Sequence, residues 1–238
     1  MAGAALFGDD RSTIVLGVGR TSDARERLVE AAIDLIWQTS YGAVGVDAIC
    51  EEAGVKKGSF YHFFASKEEL VVAALDAHWA ARREVFDRIF SPSTDPIARF
   101  RAYFAQVYDR QRTIKRQYGR ILGCFHNSVG TECIQQSPAI AAKVQEVLSM
   151  YRRYFETTLR DAQALGLVRR GDPESDAKTL FAFVEGALTQ ARIHDDPEPL
   201  KHIAETGFAI LGIADTSVVV SRASSRRKAV RVSRSTDS

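Results

Sequence analysis

Between Gly42 and Leu70 the chain reads GAVGVDAICEEAGVKKGSFYHFFASKEEL, and the punctuation of this stretch leaves few folds open. Val46, Ile49, Cys50 and Ala53 recur at i, i+3, i+4 and i+7, the spacing of a single apolar stripe on a helix. Gly54 follows, a residue free to take the positive φ that ends a helix. Past that turn, Val55, Phe60, Phe63 and Phe64 supply an apolar side, while Lys56, Lys57, Ser59, Tyr61 and His62 present hydrogen-bond donors. Ser66 and Glu69 then stand at capping-box spacing, so a third helix starts at once. Two short helices around a tight turn, the second with donors outside and rings inside, make an element that can lie in the major groove of DNA. Lysine and serine near the start of such a helix reach phosphates and base edges, and a tyrosine hydroxyl donates to a phosphate.

Overall charge does not announce a nucleic-acid binder, because 238 residues carry a net of only +2. Its distribution says more. Residues 1–70 hold seven basic against eleven acidic side chains, a net of −4, yet Ala53 to Ser66 contains two lysines and no acid. Positive potential is therefore focused at the proposed reading edge, and the acidic remainder argues against a general DNA-compacting protein. Residues 216–238 hold six basic side chains and Asp237, and their Ser/Arg/Val composition predicts a disordered basic tail. No run approaches the roughly 20 apolar residues that span a bilayer, and MAGAALFGDD has no basic region ahead of an apolar one. The expectation is a cytoplasmic protein with no membrane partner. Three cysteines, Cys50, Cys124 and Cys133, suit a reducing compartment without structural disulfides.

Beyond the reading segment the pattern stays helical. Apolar positions Leu70, Val71, Ala74, Leu75, Trp79, Val85, Phe86 and Ile89 predict one long helix over 67–90. Asp95-Pro96, Ser137-Pro138 and Asp172-Pro173 each pair a good N-cap with proline at the first helical position. Helices are expected at about 96–116, 120–134, 138–165, 173–194 and 199–213. The fold class is all-α: an N-terminal three-helix helix-turn-helix domain followed by a helical bundle. Its division reads as a flexible arm at 1–21, a DNA-binding domain at 22–66, a ligand-binding and dimerisation domain at 67–215, and the tail at 216–238.

The segment resembles the TetR family of transcriptional regulators. The likeness is carried by the helix Arg25 to Thr39 with YGAVGVDAI after it, and by AGVKKGSFYHFFASKEEL, which follows the family's recognition-helix signature nearly position by position. What the resemblance implies is a sequence-specific repressor, released from a double-stranded DNA operator by a small-molecule or electrophile effector, and no enzyme. Candidate DNA contacts are Val46, Lys56, Lys57, Ser59, Tyr61, His62 and Lys67. Val46 is a departure, since the family usually places Ser or Thr there to cap the second helix and touch a phosphate.

The larger domain gathers aromatic and polar residues that suggest a pocket between bundle helices: Phe104, Tyr108, Tyr118, Cys124, Phe125, His126, Asn127, Tyr151, Tyr154, Phe155, Phe181 and Glu185. GRILGCFHNS at 119–128 with Glu132, and QARIHDDPEPL at 190–200, are similar to the branch of the family that includes the NemR and AcuR repressors. That likeness implies that Cys124 senses electrophiles or oxidants, which requires a partly exposed thiolate helped by Arg116, Arg120 or His126. Otherwise Cys124 is a small buried hydrophobe. Cys124, His126, Glu132 and Cys133 match no common zinc spacing, so no metal is expected, and Gly17 and Gly19 lack the Gly-Lys-Ser/Thr of a phosphate loop. No cofactor is expected either. Arg11 and Arg20 on the arm could reach DNA.

One helix-turn-helix buries too little surface for specific affinity, so a homodimer reading two half-sites is expected. The apolar faces assigned to pairing are Ala177, Leu180, Phe181, Val184, Ala187, Leu188 and Ala191 on one C-terminal helix, and Leu200, Ile203, Phe208, Ile210, Leu211 and Ile213 on the other. Gly186 and Ala187 would permit close approach. The switch expected is a tilt of the 67–90 helix that changes half-site spacing. The competing reading is a small-molecule enzyme with an incidental helical hairpin, for which no triad, carboxylate pair or cofactor loop speaks.

Overall fold

The structure, a computed structural model, describes residues 20–169 and 171–213. Expectations placed on Arg11, Gly17, Gly19 and the basic tail lie outside the described residues. Among those described there are nine α-helices, one 3-10 helix and no strand. They are α1 (Arg20–Gln38), α2 (Val46–Glu52), α3 (Lys57–Phe63), α4 (Lys67–Ile89), α5 (Pro96–Tyr118), α6 (Phe125–Cys133), α7 (Pro138–Ala164), α8 (Pro173–His194), the 3-10 turn Glu198–His202 and α9 (Ile203–Ile210).

Local chemistry sets most of these boundaries. Ser66 accepts from the Glu69 amide at 3.1 Å, and the Glu69 carboxylate reaches back to the Ala65 amide at 2.7 Å, so the capping box forms with its return bond one residue early. Asp95, Ser137 and Asp172 all cap the helices whose first residue is proline. Gly45, and not Val46, occupies the N-cap of α2; a glycine there offers no side-chain bond, and Val46 is the first helical residue. α1 begins at Arg20, earlier than the periodicity from Arg25 indicated.

Two expected helices are corrected. The helix placed at 120–134 begins at Phe125, because Gly119 and Gly123 both adopt left-handed φ (75° and 69°) and the chain between them is held in a non-helical course. The Gln111 side chain bonds both the N–H and the C=O of Gly123 (3.1 and 3.2 Å), and Asp195 accepts from the Ile121 amide at 2.8 Å. Tertiary bonds thus replace the helical ones that residues 120–124 would have made. The helix placed at 199–213 is a 3-10 turn followed by the short α9.

The core falls into two clusters that meet along α4. One joins Leu28, Ala32, Ile49, Phe60 and Phe64 of the first three helices and their connections to Leu70, Val71, Ala74 and Leu75 of α4 and to Phe125, Val129 and Ile140 of the bundle. The other joins Trp79 and Phe86, further along α4, to Phe100, Tyr103, Phe155, Phe181 and Phe208. One stiff helix is therefore embedded at one end in the helix-turn-helix core and at the other in the bundle core.

The surfaces assigned to dimerisation need correction. Ala177, Leu180, Phe181, Val184, Leu188 and Ala191 of α8 are buried within the chain, as are Leu200, Ile203, Phe208, Leu211 and Ile213. Their apolar periodicity marks the inward side, since the bundle itself consumes it. Gly207 shows how closely: a Cβ there would lie 2.5 Å from the Phe104 ring.

Candidate functional site

α3 is seven residues long, and its two sides differ sharply. Phe60 and Phe64 are buried and Phe63 half-buried, whereas Lys56, Lys57, Ser59, Tyr61 and His62 are exposed. Tyr61, at 55% exposure, is one of the few large apolar-bodied side chains left in solvent. Gly54 makes the turn at φ 61°, and the Val55 amide closes it on the Cys50 carbonyl at 2.9 Å. Lys57 pairs with Asp47 of α2 at 2.7 Å, and that hydrogen bond raises its pKa. The five donors expected at the reading edge stand together on the outer side of one helix.

Lys67 and Val46 are placed otherwise. The Lys67 ammonium donates to the Tyr41 and Val44 carbonyls (2.9 and 3.0 Å) and sits 3.9 Å from the centre of the Tyr41 ring. Its donors are spent on the loop between α1 and α2, so the expectation of a DNA contact is corrected to a loop anchor. Glu132 of α6 grips the same loop, accepting from the Tyr41 and Gly42 amides at 2.8 and 2.7 Å. Val46 is half-buried and packs on the core.

Between the bundle helices a small, partly open cavity of about 60 Å³ is lined by residues of α1, α4, α5, α7 and α8, by Phe125 at the start of α6, and by Gly123 and Cys124 before it. Of the expected pocket residues it contains Cys124, Phe125, Tyr151, Phe181 and Glu185. His126 lies behind the wall, bonding the Leu75 carbonyl at 3.1 Å. Asn127 and Cys124 line a second, outer cavity of about 230 Å³ between α1, α6 and α8. The remaining expectations are corrected. Phe104 and Phe155 are core, Tyr108 donates to Glu198, Tyr118 donates to Asp34 of α1 at 3.0 Å, and Tyr154 donates to Asp87. Nor do Cys124, His126, Glu132 and Cys133 converge; among the described residues no group of three or more acidic, His or Cys side chains is placed to hold a metal.

Trp37, His78, Arg82, Phe86, Tyr103 and Arg110 line the cavity and were not singled out from the sequence. A signal existed for two of them: His78 and Arg82 fall beside Leu75, Trp79 and Phe86 on the buried stripe of α4, where a polar residue calls for an explanation. Trp37 belongs to α1, and its indole donates to the Leu122 carbonyl at 3.1 Å.

The cavity's electrostatics follow from burial. His78 is packed among Trp37, Phe125 and His126 (ring centres 5.4, 5.1 and 4.9 Å), and neither ring nitrogen has a partner among the described residues. Desolvation, then the neighbouring His126, Arg110 and Arg82, push its pKa far down, and burial takes His126 down to about 4. Both imidazoles are neutral at pH 7. Burial pushes Glu185 up to about 7, and its Oε2 is likewise unpartnered among the described residues. The Cys124 thiol contacts the Glu185 carboxyl; burial and that negative neighbour hold its pKa well above the usual thiol value, against the opposing amides of Asn127 and His126. Of the two readings of Cys124, the thiolate sensor loses its support: burial and the Glu185 carboxyl keep the thiol protonated.

Residues 28–74 match the profile described as bacterial regulatory proteins, tetR family, and residues 96–206 match the tetracyclin repressor-like C-terminal domain. This chain belongs to the TetR family. It is a transcriptional regulator rather than an enzyme. Among similar proteins are the transcriptional regulator AcuR of Cereibacter sphaeroides, 29% identical over 80% of this chain and 86% of that one, and the transcriptional repressor NemR of Escherichia coli, 29% identical over 76% and 89%. The crystal structure of reduced E. coli NemR superposes with a TM-score of 0.72 at 26% identity, covering 82% of this chain and all of the other. None of the described helices is long and apolar enough to cross a membrane.

Proposed function

We propose that the chain is a dimeric repressor whose α3 lies in the major groove of its operator and whose grip is loosened by a small molecule bound in the cavity beside α4. The observation that carries the DNA-reading part is the exposed set Lys56, Lys57, Ser59, Tyr61 and His62 on the outer side of α3. Replacing Lys56 and Lys57 by alanine tests it on a duplex selected by the protein from a randomised library. Each lysine lost from a half-site removes a phosphate contact, lowering operator affinity and flattening the salt dependence by about one unit of slope per contact. Unchanged affinity and slope would end this reading.

The effector reading rests on buried polar atoms that the protein leaves unused. His78 and Glu185 offer unpartnered nitrogen and oxygen atoms inside an aromatic enclosure that also holds Arg82. Unused buried polar groups are expensive unless a ligand or water meets them. The protonated state of Cys124 favours reversible binding over modification of a resting thiolate. α4 supplies His78, Arg82 and Phe86 to the cavity and Leu70 to Leu75 to the head core, so a ligand that shifts it moves α3. Coupling of ~1–3 kcal/mol suffices to change operator occupancy.

For pairing, we assign the side of α8 that the bundle leaves open. Thr179, Ala182, Gly186, Gln190 and Ile193 are exposed along it, and a Cβ at Gly186 would meet nothing in the chain. Ala182 and Gly186, small and one turn apart in the middle of this side, let the same helix of a second copy approach across a two-fold axis. Light scattering at micromolar concentration should return a dimer mass, and Ala182→Arg a monomer; a monomeric wild type would overturn the assignment.

A further inference from the structure

Most glycines of the described helices and turns have a reason within the chain; Gly58 and Gly186 have none, and Gly186 lies on the side of α8 assigned above to pairing. Gly54, Gly119, Gly123, Gly166 and Gly212 take positive φ. Gly130 and Gly207 sit where a Cβ would come within 2.7 and 2.5 Å of a Val144 methyl group and the Phe104 ring. Gly45 occupies an N-cap, a position that suits glycine. Gly58, by contrast, lies inside α3 with no positive φ, exposed, and with no atom within 4 Å of the place its Cβ would occupy. Glycine is less favourable than alanine in a helix, because it loses more backbone freedom on ordering. Gly58 is the second of only seven residues in α3, and no contact within the chain compensates for that cost.

Gly58 shares its side of α3 with Tyr61 and His62, three and four residues on, and is flanked by Lys57 and Ser59, all exposed. With no side chain at 58, the backbone of α3 is bare between Lys57 and Ser59, and the space a Cβ would fill is open. We propose that Gly58 is a specificity-determining residue of operator recognition: its bare backbone is the point of closest approach to the base-pair edges, and any side chain there would hold the flanking donors off the groove. This rests on the reading that the outer side of α3 meets DNA. The geometry assigns the steric requirement at position 58 to the partner, because the fold itself imposes none.

The test is a size series, Gly58→Ala, Gly58→Ser and Gly58→Val, measured for thermal stability and for affinity to the selected duplex and to an unrelated duplex. Gly58→Ala should melt at or above the wild-type temperature. It should lose at least tenfold in operator affinity while binding the unrelated duplex within twofold of wild type. Serine should behave like alanine, valine should lose more, and the salt slope should not change, since no charge is altered. Gly130→Ala supplies the contrast, with a lower melting temperature from its clash at Val144. Operator affinity within twofold of wild type for both the alanine and serine variants overturns the proposal, as does an equal loss on both duplexes. The lysine variants separate the two levels. If they lose binding while Gly58→Ala does not, only the role of Gly58 falls; if neither changes affinity, the reading of α3 falls with it.

Discussion

In the helix-turn-helix, five donors proposed to meet DNA come from residues 56–62, whereas the cavity beside α4 takes its walls from six helices and a connecting segment spread over residues 37–188. The first surface is written by spacing along one short helix, with Phe60 and Phe64 locking its inner side. The second exists only once distant helices have packed. A local surface can be altered one residue at a time without disturbing the scaffold. A cavity shares its lining with the core that holds the bundle together, so binding and stability there are coupled.

The sharpest way to break this comparison is in the head itself. Phe60→Ala empties a fully buried site and should destabilise the protein by about 3–5 kcal/mol. Tyr61→Ala, one residue on and half in solvent, should change stability by less than about 0.5 kcal/mol while weakening operator binding. Chemical denaturation of the two variants side by side checks this; similar losses would mean that the two sides of α3 are not energetically distinct.

The cavity gives the next effect, through pH. Glu185 has a folded pKa of about 7 against its ordinary 4.5, so the folded state binds more protons and stability falls as pH rises through that interval. The full shift corresponds to an effect on the order of 3 kcal/mol. His126, at about 4 against 6.5, has the opposite sign: the unfolded state binds more protons, so stability is lost as pH falls from 6.5 toward 4, and His78 acts in the same direction. The two trends oppose each other between about 4.5 and 6.5. Glu185→Gln removes the falling limb, and denaturation midpoints should then climb more steeply over that interval than in wild type. Parallel pH profiles would show that the carboxyl is not held neutral by its surroundings.

A smaller effect should appear where the two regions touch. Glu132 holds the Tyr41 and Gly42 amides from α6, and Lys67 holds the opposite side of the same loop. Glu132→Ala should cost about 2 kcal/mol, the scale of hydrogen bonds to a charged group. Hydrogen exchange should accelerate at those two amides more than at cavity residues. Uniform acceleration across the bundle would show instead that the loop and the cavity open as one unit.

The three-helix head was legible because each of its decisions is local. Gly54, the Ser66 cap and the phenylalanine spacing each act within about one helical turn. The caps at Asp95, Ser137 and Asp172 were readable for the same reason. The cavity was half legible: aromatic content pointed to Tyr151, Phe181 and Glu185 but equally to Phe104 and Phe155, which are core. Composition does not say which side of a helix faces a void. Lys67 looked like a DNA contact because it follows the reading helix, and only the position of the Tyr41 loop shows where its ammonium goes.

By itself, then, the amino-acid order determined the capped helices and the outward presentation of Lys56, Lys57, Ser59, Tyr61 and His62, since these depend on residues within a few positions of each other. Tertiary structure alone decided that Trp37 and His78 share a cavity with Glu185, that residues 120–124 stay non-helical, and that the apolar sides of α8 and α9 are spent inside the chain. The physical reason is that burial is a property of what lies opposite a side chain, and periodicity fixes which side is apolar without naming the surface that will cover it.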